Sequence, residues 1–178
     1  MKPFRFKQFE VMQHPKVFKV GTDACILGAL ARIGEATSIL DVGTGAGLPG
    51  IILEIIKNDH DMSFSTHLVE KSPKKGKFLK KANSFLDLDL KIHNCDVNSM
   101  NKKEFTTLIS RAFKPMRTFL EIISNAQLKF KKIIMMKGEN FMDEFIEAKK
   151  YFEINCDIHE SMTNPGSKLF VIKGVSKL

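Results

Sequence analysis

The chain has 178 residues, 43% hydrophobic and 27% charged, which fits one globular domain with a substantial core and excludes a disordered or fibrous polymer. Twenty-eight Lys and Arg against 20 Asp and Glu give a formal charge of +8, a field that favours polyanions, nucleic acid first. No apolar run approaches the roughly 18 residues of a membrane span, the opening MKPFRFKQFE lacks a signal peptide's core, and Cys25, Cys95 and Cys156 form no CxxC pair; a reduced, cytoplasmic, metal-free monomer is the expectation.

At the front, Phe4, Phe6 and Phe9 alternate with basic or polar residues, as an edge strand would. The first clear strand is SILDV (38–42), followed by a glycine-rich turn and a helix over LPGIILEIIKN (48–58). SFSTHLVE (63–70) reads as the next strand and SPKKGKFLKKANSFLD (72–87) as the next helix. Ser72 is its expected N-cap, with Pro73 at the first helical position. Phe78, Leu79, Ala82, Phe85 and Leu86 are expected on its apolar side; Lys74, Lys77, Lys80 and Lys81 fall largely on the other. Two readings of these lysines stand, a solvated face or a seat for RNA phosphates.

Strands at LKIHNCD (90–96) and FTTLISRA (105–112) come next, then a helix at MRTFLEIISNAQ (116–127). A strand at KKIIMMKG (131–138), a helix at NFMDEFIEAKKYF (140–152) and a strand at KLFVIKG (168–174) complete the order. TNPG (163–166) reads as a turn. Strands alternating with helices imply an α/β fold with a doubly wound, mostly parallel sheet. No linker divides the chain, so residues 1–178 are expected to form one domain, with 1–37 an extension or lid and 38–178 the core.

The stretch ILDVGTGAGLPGI (39–51) carries the chemistry. Gly43, Gly45 and Gly47 let a ligand lie against bare backbone, and the following helix N-terminus adds free N–H donors, so a nucleotide-type cofactor is implied. The spacing is G-x-G-x-G with Leu48 where the dinucleotide pattern has its last glycine, and no GK[ST] follows. Asp41 suits a cofactor carrying a positive charge; Glu70 closes the second strand where a carboxylate can take both ribose hydroxyls, and Asp96 closes the third near an adenine edge. An unliganded tight turn and an NAD-dependent enzyme are the competing readings.

This set resembles the class I S-adenosylmethionine-dependent methyltransferases with their Rossmann-like sheet. From residue 38 onward the chain is similar to the RsmG (GidB) family of bacterial 16S rRNA guanine-N7 methyltransferases. DVGTGAGLPGI (41–51), LVEKSPKKGKFL (68–79), LISRAFKPM (108–116), MKG (136–138) and GSKLFVIK (166–173) carry that likeness. It implies that Gly43, Gly45, Gly47 and Glu70 hold S-adenosylmethionine and that Ser110 and Arg111 stand at the catalytic mouth. By contrast, FRFKQFEVMQHPKVFKVGTDACILGALA (4–31) resembles the opening of the tRNA adenine-N6 methyltransferases, which would make Lys19, Thr22 and Asp23 part of a lid.

Chemistry separates the two resemblances. The adenine N6 enzymes grip a poorly nucleophilic amine with an Asn-Pro-Pro-Tyr-type loop after the fourth strand, where this chain reads SRAFKP. Guanine N7 has a free in-plane lone pair and needs mainly to be positioned. Arg111 could steer the base through O6 or a phosphate, or be structural; Phe113 could stack on a base or belong to the core. Lys137 and Lys168 read as RNA contacts or as ordinary solvated lysines. His14, His60, His67, His93 and His159 show no metal spacing. The expected partner is ribosomal RNA or the small subunit, tRNA being second; a non-catalytic RNA-binding module is the reading from another class.

Overall fold

The computed structural model describes residues 3–5, 10–11, 36–161, 164 and 166–178. At the front, two-residue strands at Phe4–Arg5 and Glu10–Val11 pair antiparallel. The expectations for Phe6, Phe9, Lys19, Thr22, Asp23, Cys25 and His14, and for residues 163 and 165 of the turn, lie outside the described residues.

The body is a seven-stranded sheet. Its elements are β1 (Ser38–Val42), α1 (Gly50–Asp59), β2 (Ser65–Val69), α2 (Pro73–Phe85), β3 (Lys91–His93), a 3-10 turn (Val97–Met100), β4 (Thr107–Arg111), α3 (Met116–Asn125), β5 (Lys132–Lys137), α4 (Phe141–Lys149), β6 (Phe152–Glu160) and β7 (Lys168–Lys177). The spatial order is β3-β2-β1-β4-β5-β7-β6. Neighbours from β3 to β5 run parallel, and β7 runs antiparallel to both β5 and β6. The doubly wound expectation holds, with the order reversing between β1 and β4; in such sheets ligands sit outside the carboxyl ends beside that reversal.

Both faces are covered, so the central strands are apolar nearly throughout. Leu40, Val42, Leu108, Ile133 and Met135 pack with Met116, Phe119, Leu120 and Ile123 of α3. On the other face, Ile39, Ile109, Ile134 and Met136 meet Leu53 of α1, while Leu68 joins Ile51, Ile52, Leu79 and Leu90. Ser72 caps α2 through Lys75 N–H, with Pro73 at the expected place.

Three differences from the sequence expectations have physical causes. The sequence predicts a helix to residue 152 and no strand over 153–160, yet Phe152, Ile154, Cys156 and Ile158 of β6 alternate with polar residues, the period of a strand. Strand β3 ends at His93, so Asp96 caps the 3-10 turn instead of closing a strand. On α2 the buried face is narrower than the helical spacing of its apolar residues predicts. Leu79 is buried and Ala82 and Leu86 half-buried, whereas Phe78 and Phe85 are 52% and 88% exposed.

Under the α3 face, His67 and His93 form a pair, with Nδ1 of the first 2.9 Å from Nε2 of the second and Phe105 edge-on to His67. Burial first, then the charges of His93, Lys103 and Lys91, pushes His67 down from 6.5 to about 4, and His93 is lowered for similar reasons. A folded value below the unfolded one means the unfolded chain binds more protons, so this pair withdraws stability as pH falls from 6.5 to about 4. His67→Gln is expected to lose stability less steeply than wild type across that window in urea unfolding; parallel pH profiles would show that the pair stays neutral for no energetic consequence.

Candidate active site

Four carboxyl ends converge on one rim: β1 with its glycine turn, β2 with Glu70, β4 with Arg111 and β5 with Lys137. The turn is held from below by Asp41. This carboxylate is 1% exposed and its Oδ2 accepts the Thr44 hydroxyl at 2.6 Å and Gly50 N–H at 3.0 Å, tying the end of β1 to the start of α1. Burial pushes Asp41 up from 3.8 to about 6, although the Thr44 hydroxyl, the Gly50 N–H and the Arg111 charge pull it down. Its Oδ2 is thus spent on the loop itself.

Gly43, Gly45 and Gly47 all adopt positive φ, at 67°, 63° and 93°. Their surroundings differ. A Cβ at Gly43 would lie 2.0 Å from the Phe113 ring, and one at Gly47 would meet Ile51 and Leu79. At Gly45 nothing comes nearer than 4.0 Å, so this glycine faces an open cradle. Glu70 forms the cradle's far lip: Oε2 accepts Gly45 N–H at 3.1 Å, Oε1 accepts Ser72 N–H at 2.9 Å, and Lys75 Nζ is 3.8 Å away. Asn94 fixes that lip, donating to the carbonyls of Glu70 and Ser72 at 2.7 and 3.2 Å. Sequence reasoning missed Asn94; its packing against Gly76, where no side chain would fit, is visible only in three dimensions. Asp96 is exposed, with Oδ1 accepting from Asn98.

Beside the cradle lies a second chamber of about 420 Å³, within the range of ligand pockets. Arg111 at the end of β4 and Ala112, Phe113, Lys114 and Pro115 of the β4–α3 loop line it, with Lys137, Gly138 and Ser167 opposite. Ala112 sits at φ 50°, a left-handed conformation alanine disfavours by roughly 1–2 kcal/mol, so the loop stores strain at the chamber wall. Ser110 is 3% exposed and its hydroxyl donates to Val42 O at 3.4 Å, bracing β4 against β1.

The cationic candidates fall into two sets. Lys74, Lys77 and Lys81 are exposed on α2. Lys137 is 7% exposed: its ammonium donates to Lys114 O and pairs with Glu144 at 2.8 Å. The same Glu144 oxygen accepts Met116 N–H at 2.9 Å. Lys168 pairs with Glu160 and stands 5.5 Å over the Phe141 ring. The charges of Lys137 and Lys168 are therefore partnered inside the protein.

Residues 23–171 match the family described as rRNA small subunit methyltransferase G. The ribosomal RNA small subunit methyltransferase G of Pelagibacter ubique is 31% identical over 140 residues, which cover 78% of this chain and 65% of that protein. A tRNA1(Val) (adenine(37)-N6)-methyltransferase from a Flavobacteriaceae bacterium is 60% identical over 52 residues, 29% of this chain and 22% of that one. Among solved structures, a SAM-dependent methyltransferase from Aquifex aeolicus superposes with a TM-score of 0.59 at 11% identity, covering 84% of this chain and 93% of the other. The chain thus spans a little under two thirds of the Pelagibacter protein.

Proposed function

The chain belongs to the rRNA small subunit methyltransferase G family, and from that premise we propose that it transfers a methyl group from S-adenosylmethionine to N7 of a guanine in 16S ribosomal RNA. One observation carries the reading: Phe113 lies against Gly43, so the glycine cradle and the chamber beside it share a wall. A methyl donor in one then faces an acceptor base in the other.

The residues present fit that donor. The open side of Gly45 admits it, Glu70 offers a carboxylate to ribose hydroxyls, and Asp96 is assigned the adenine edge. Asp41 acts through the loop it holds. The cofactor supplies an electrophilic methyl; the protein's task is to hold guanine N7 in line with it, which needs no residue to remove a proton first. Arg111 and Phe113 line the chamber where the base would be gripped and stacked, Ser110 braces the strand that carries them, and Lys137 with Lys114 sets the wall. Lys74, Lys77 and Lys81 are assigned to RNA phosphates, which a lysine meets as a point charge. Residues 1–178 act as one domain in this account.

Replacing Glu70 by alanine removes the acceptor from Gly45 N–H and Ser72 N–H as well as from the ribose. We expect S-adenosylmethionine binding to weaken by about 1–3 kcal/mol in calorimetry; unchanged affinity would remove Glu70 from the cofactor's seat. The stretch shared with the tRNA adenine-N6 enzyme favours a second reading, in which tRNA is the substrate. Labelled methyl transfer offered unmodified small-subunit particles and unmodified tRNA side by side separates the two by which RNA takes up label.

A further inference from the structure

On α2, Lys74, Phe78, Lys81 and Phe85 follow one another at intervals of four, three and four residues, so at 100° per residue they share an arc of about 60°. All four are exposed, and Phe85 at 88% is the most exposed large apolar residue among those described. The core-facing stripe of buried Leu79 with half-buried Ala82 and Leu86 runs along a different arc, so neither phenylalanine is needed to anchor the helix. The stripe is about 16 Å long, with the two rings about two helical turns apart.

Its electrostatics are one-sided. Helix α2 has no acidic residue, and Lys71, Lys74, Lys75, Lys77, Lys80 and Lys81 crowd its approach and first three turns. Lysines at a helix N-terminus oppose the macrodipole, and like charges three or four apart cost roughly 0.2–0.5 kcal/mol per pair. Among the described residues, only Lys75 of these six has an acid within ion-pair reach, Glu70. An arrangement that costs the free protein stability is relieved when a polyanion lies along it.

We propose that this stripe is a docking surface for an unpaired segment of RNA, the lysines seating phosphates and Phe78 and Phe85 each stacking on a base. The proposal rests on the RNA-methyltransferase reading and adds the class of RNA and the residues that read it. A duplex keeps its base faces inside and offers the rings nothing to stack on, whereas splayed bases in a loop or single strand do. The stripe starts at the N-terminus of α2, beside Glu70, so the strand it holds leads toward the cradle.

The test uses the full chain, a fluorescent single-stranded oligoribonucleotide, and the same sequence as a duplex, with anisotropy followed over a salt series. Wild type is expected to prefer the single strand. Phe78→Ser with Phe85→Ser should weaken single-strand binding about tenfold or more while sparing the duplex and the salt slope. Lys74→Ser with Lys81→Ser should weaken both and flatten the slope by about one to two. Because both rings are exposed, melting temperature is expected to hold, and a 2-aminopurine probe in the strand should lose its quenching with the phenylalanines. Phenylalanine variants that bind the single strand as wild type does would overturn the stripe, as would variants whose only effect is to abolish self-association. If wild type methylates ribosomal particles while the phenylalanines prove dispensable, the stripe alone falls. If wild type neither binds RNA nor methylates particles, the methyltransferase reading falls with it.

Discussion

Gly43→Val is expected to melt far below wild type and to bind no measurable S-adenosylmethionine. Two terms add. The backbone there has φ of 67°, a left-handed conformation that costs a residue with a Cβ roughly 1–2 kcal/mol, and β-branching makes it worse. The new Cβ would also stand 2.0, 2.5 and 2.6 Å from three atoms of the Phe113 ring, inside any tolerable contact. Phe113 is packed edge-on against the buried Phe119, so its retreat disturbs the core; overpacking of this kind costs about 1–3 kcal/mol. Together the terms take about 2–5 kcal/mol from a domain whose whole stability is on the order of 5–15. Gly45→Ala is the control: its φ is as unfavourable at 63°, but its Cβ would meet open space, so it should lose clearly less stability. Equal melting losses for the two would mean that the Phe113 contact does not set the requirement at Gly43.

The second large effect is expected at Lys137. Its ammonium joins β5 to the Lys114 carbonyl of the β4–α3 loop and to Glu144 of α4, and the same Glu144 oxygen holds the first N–H of α3. Lys137→Met would leave a carboxylate beside the chamber without its counter-ion and a loop carbonyl without its donor. Losing one partner of a buried pair costs about 3–5 kcal/mol; Glu144 is 29% exposed, so about 2–3 is expected here. Methyl transfer should fall further than stability, because Phe113 rides on the loop that Lys137 fixes and Arg111 leads into it. The double variant Lys137→Met with Glu144→Leu should regain stability in urea melts, since no charge is left unpaired, yet stay poor in transfer. A double variant as unstable as the single one would show that lost packing, not the orphaned carboxylate, explains the damage.

The strand–helix alternation, the glycine turn and the acid closing β2 were legible from residue order because each is a local pattern: apolar period, bare backbone, an acid where a strand stops. The pattern failed where it described one face of an element. Phe78 and Phe85 lie at the margin of the apolar arc of α2, and only the packing of Leu79 decides that they point to solvent. Strand β6 shows a clear two-residue alternation, but it adjoins α4, whose apolar period reads on through residue 152 although the helix ends at Lys149. At the site, a lysine's partners are set by elements distant in the chain. Lys137 and Lys168 looked like surface cations, and their pairing with Glu144 and Glu160 depends on where α4 and β6 lie. Asp41 is the right residue type for a charged ligand, yet the helix N-terminus at Gly50, eight residues after Val42, claims it. Asn94, which has no motif of its own, secures the lip through two backbone carbonyls.

The atom methylated is the most direct test of the proposed function. Unmodified small-subunit particles and unmodified tRNA would be incubated with the protein and labelled S-adenosylmethionine, and the RNA digested to nucleosides. The label is expected in 7-methylguanosine from 16S ribosomal RNA, and Gly43→Val is expected to abolish it. Label in N6-methyladenosine from tRNA would contradict it, and would mean that the chamber beside Arg111 and Phe113 activates an amine without the Asn-Pro-Pro loop that such chemistry employs.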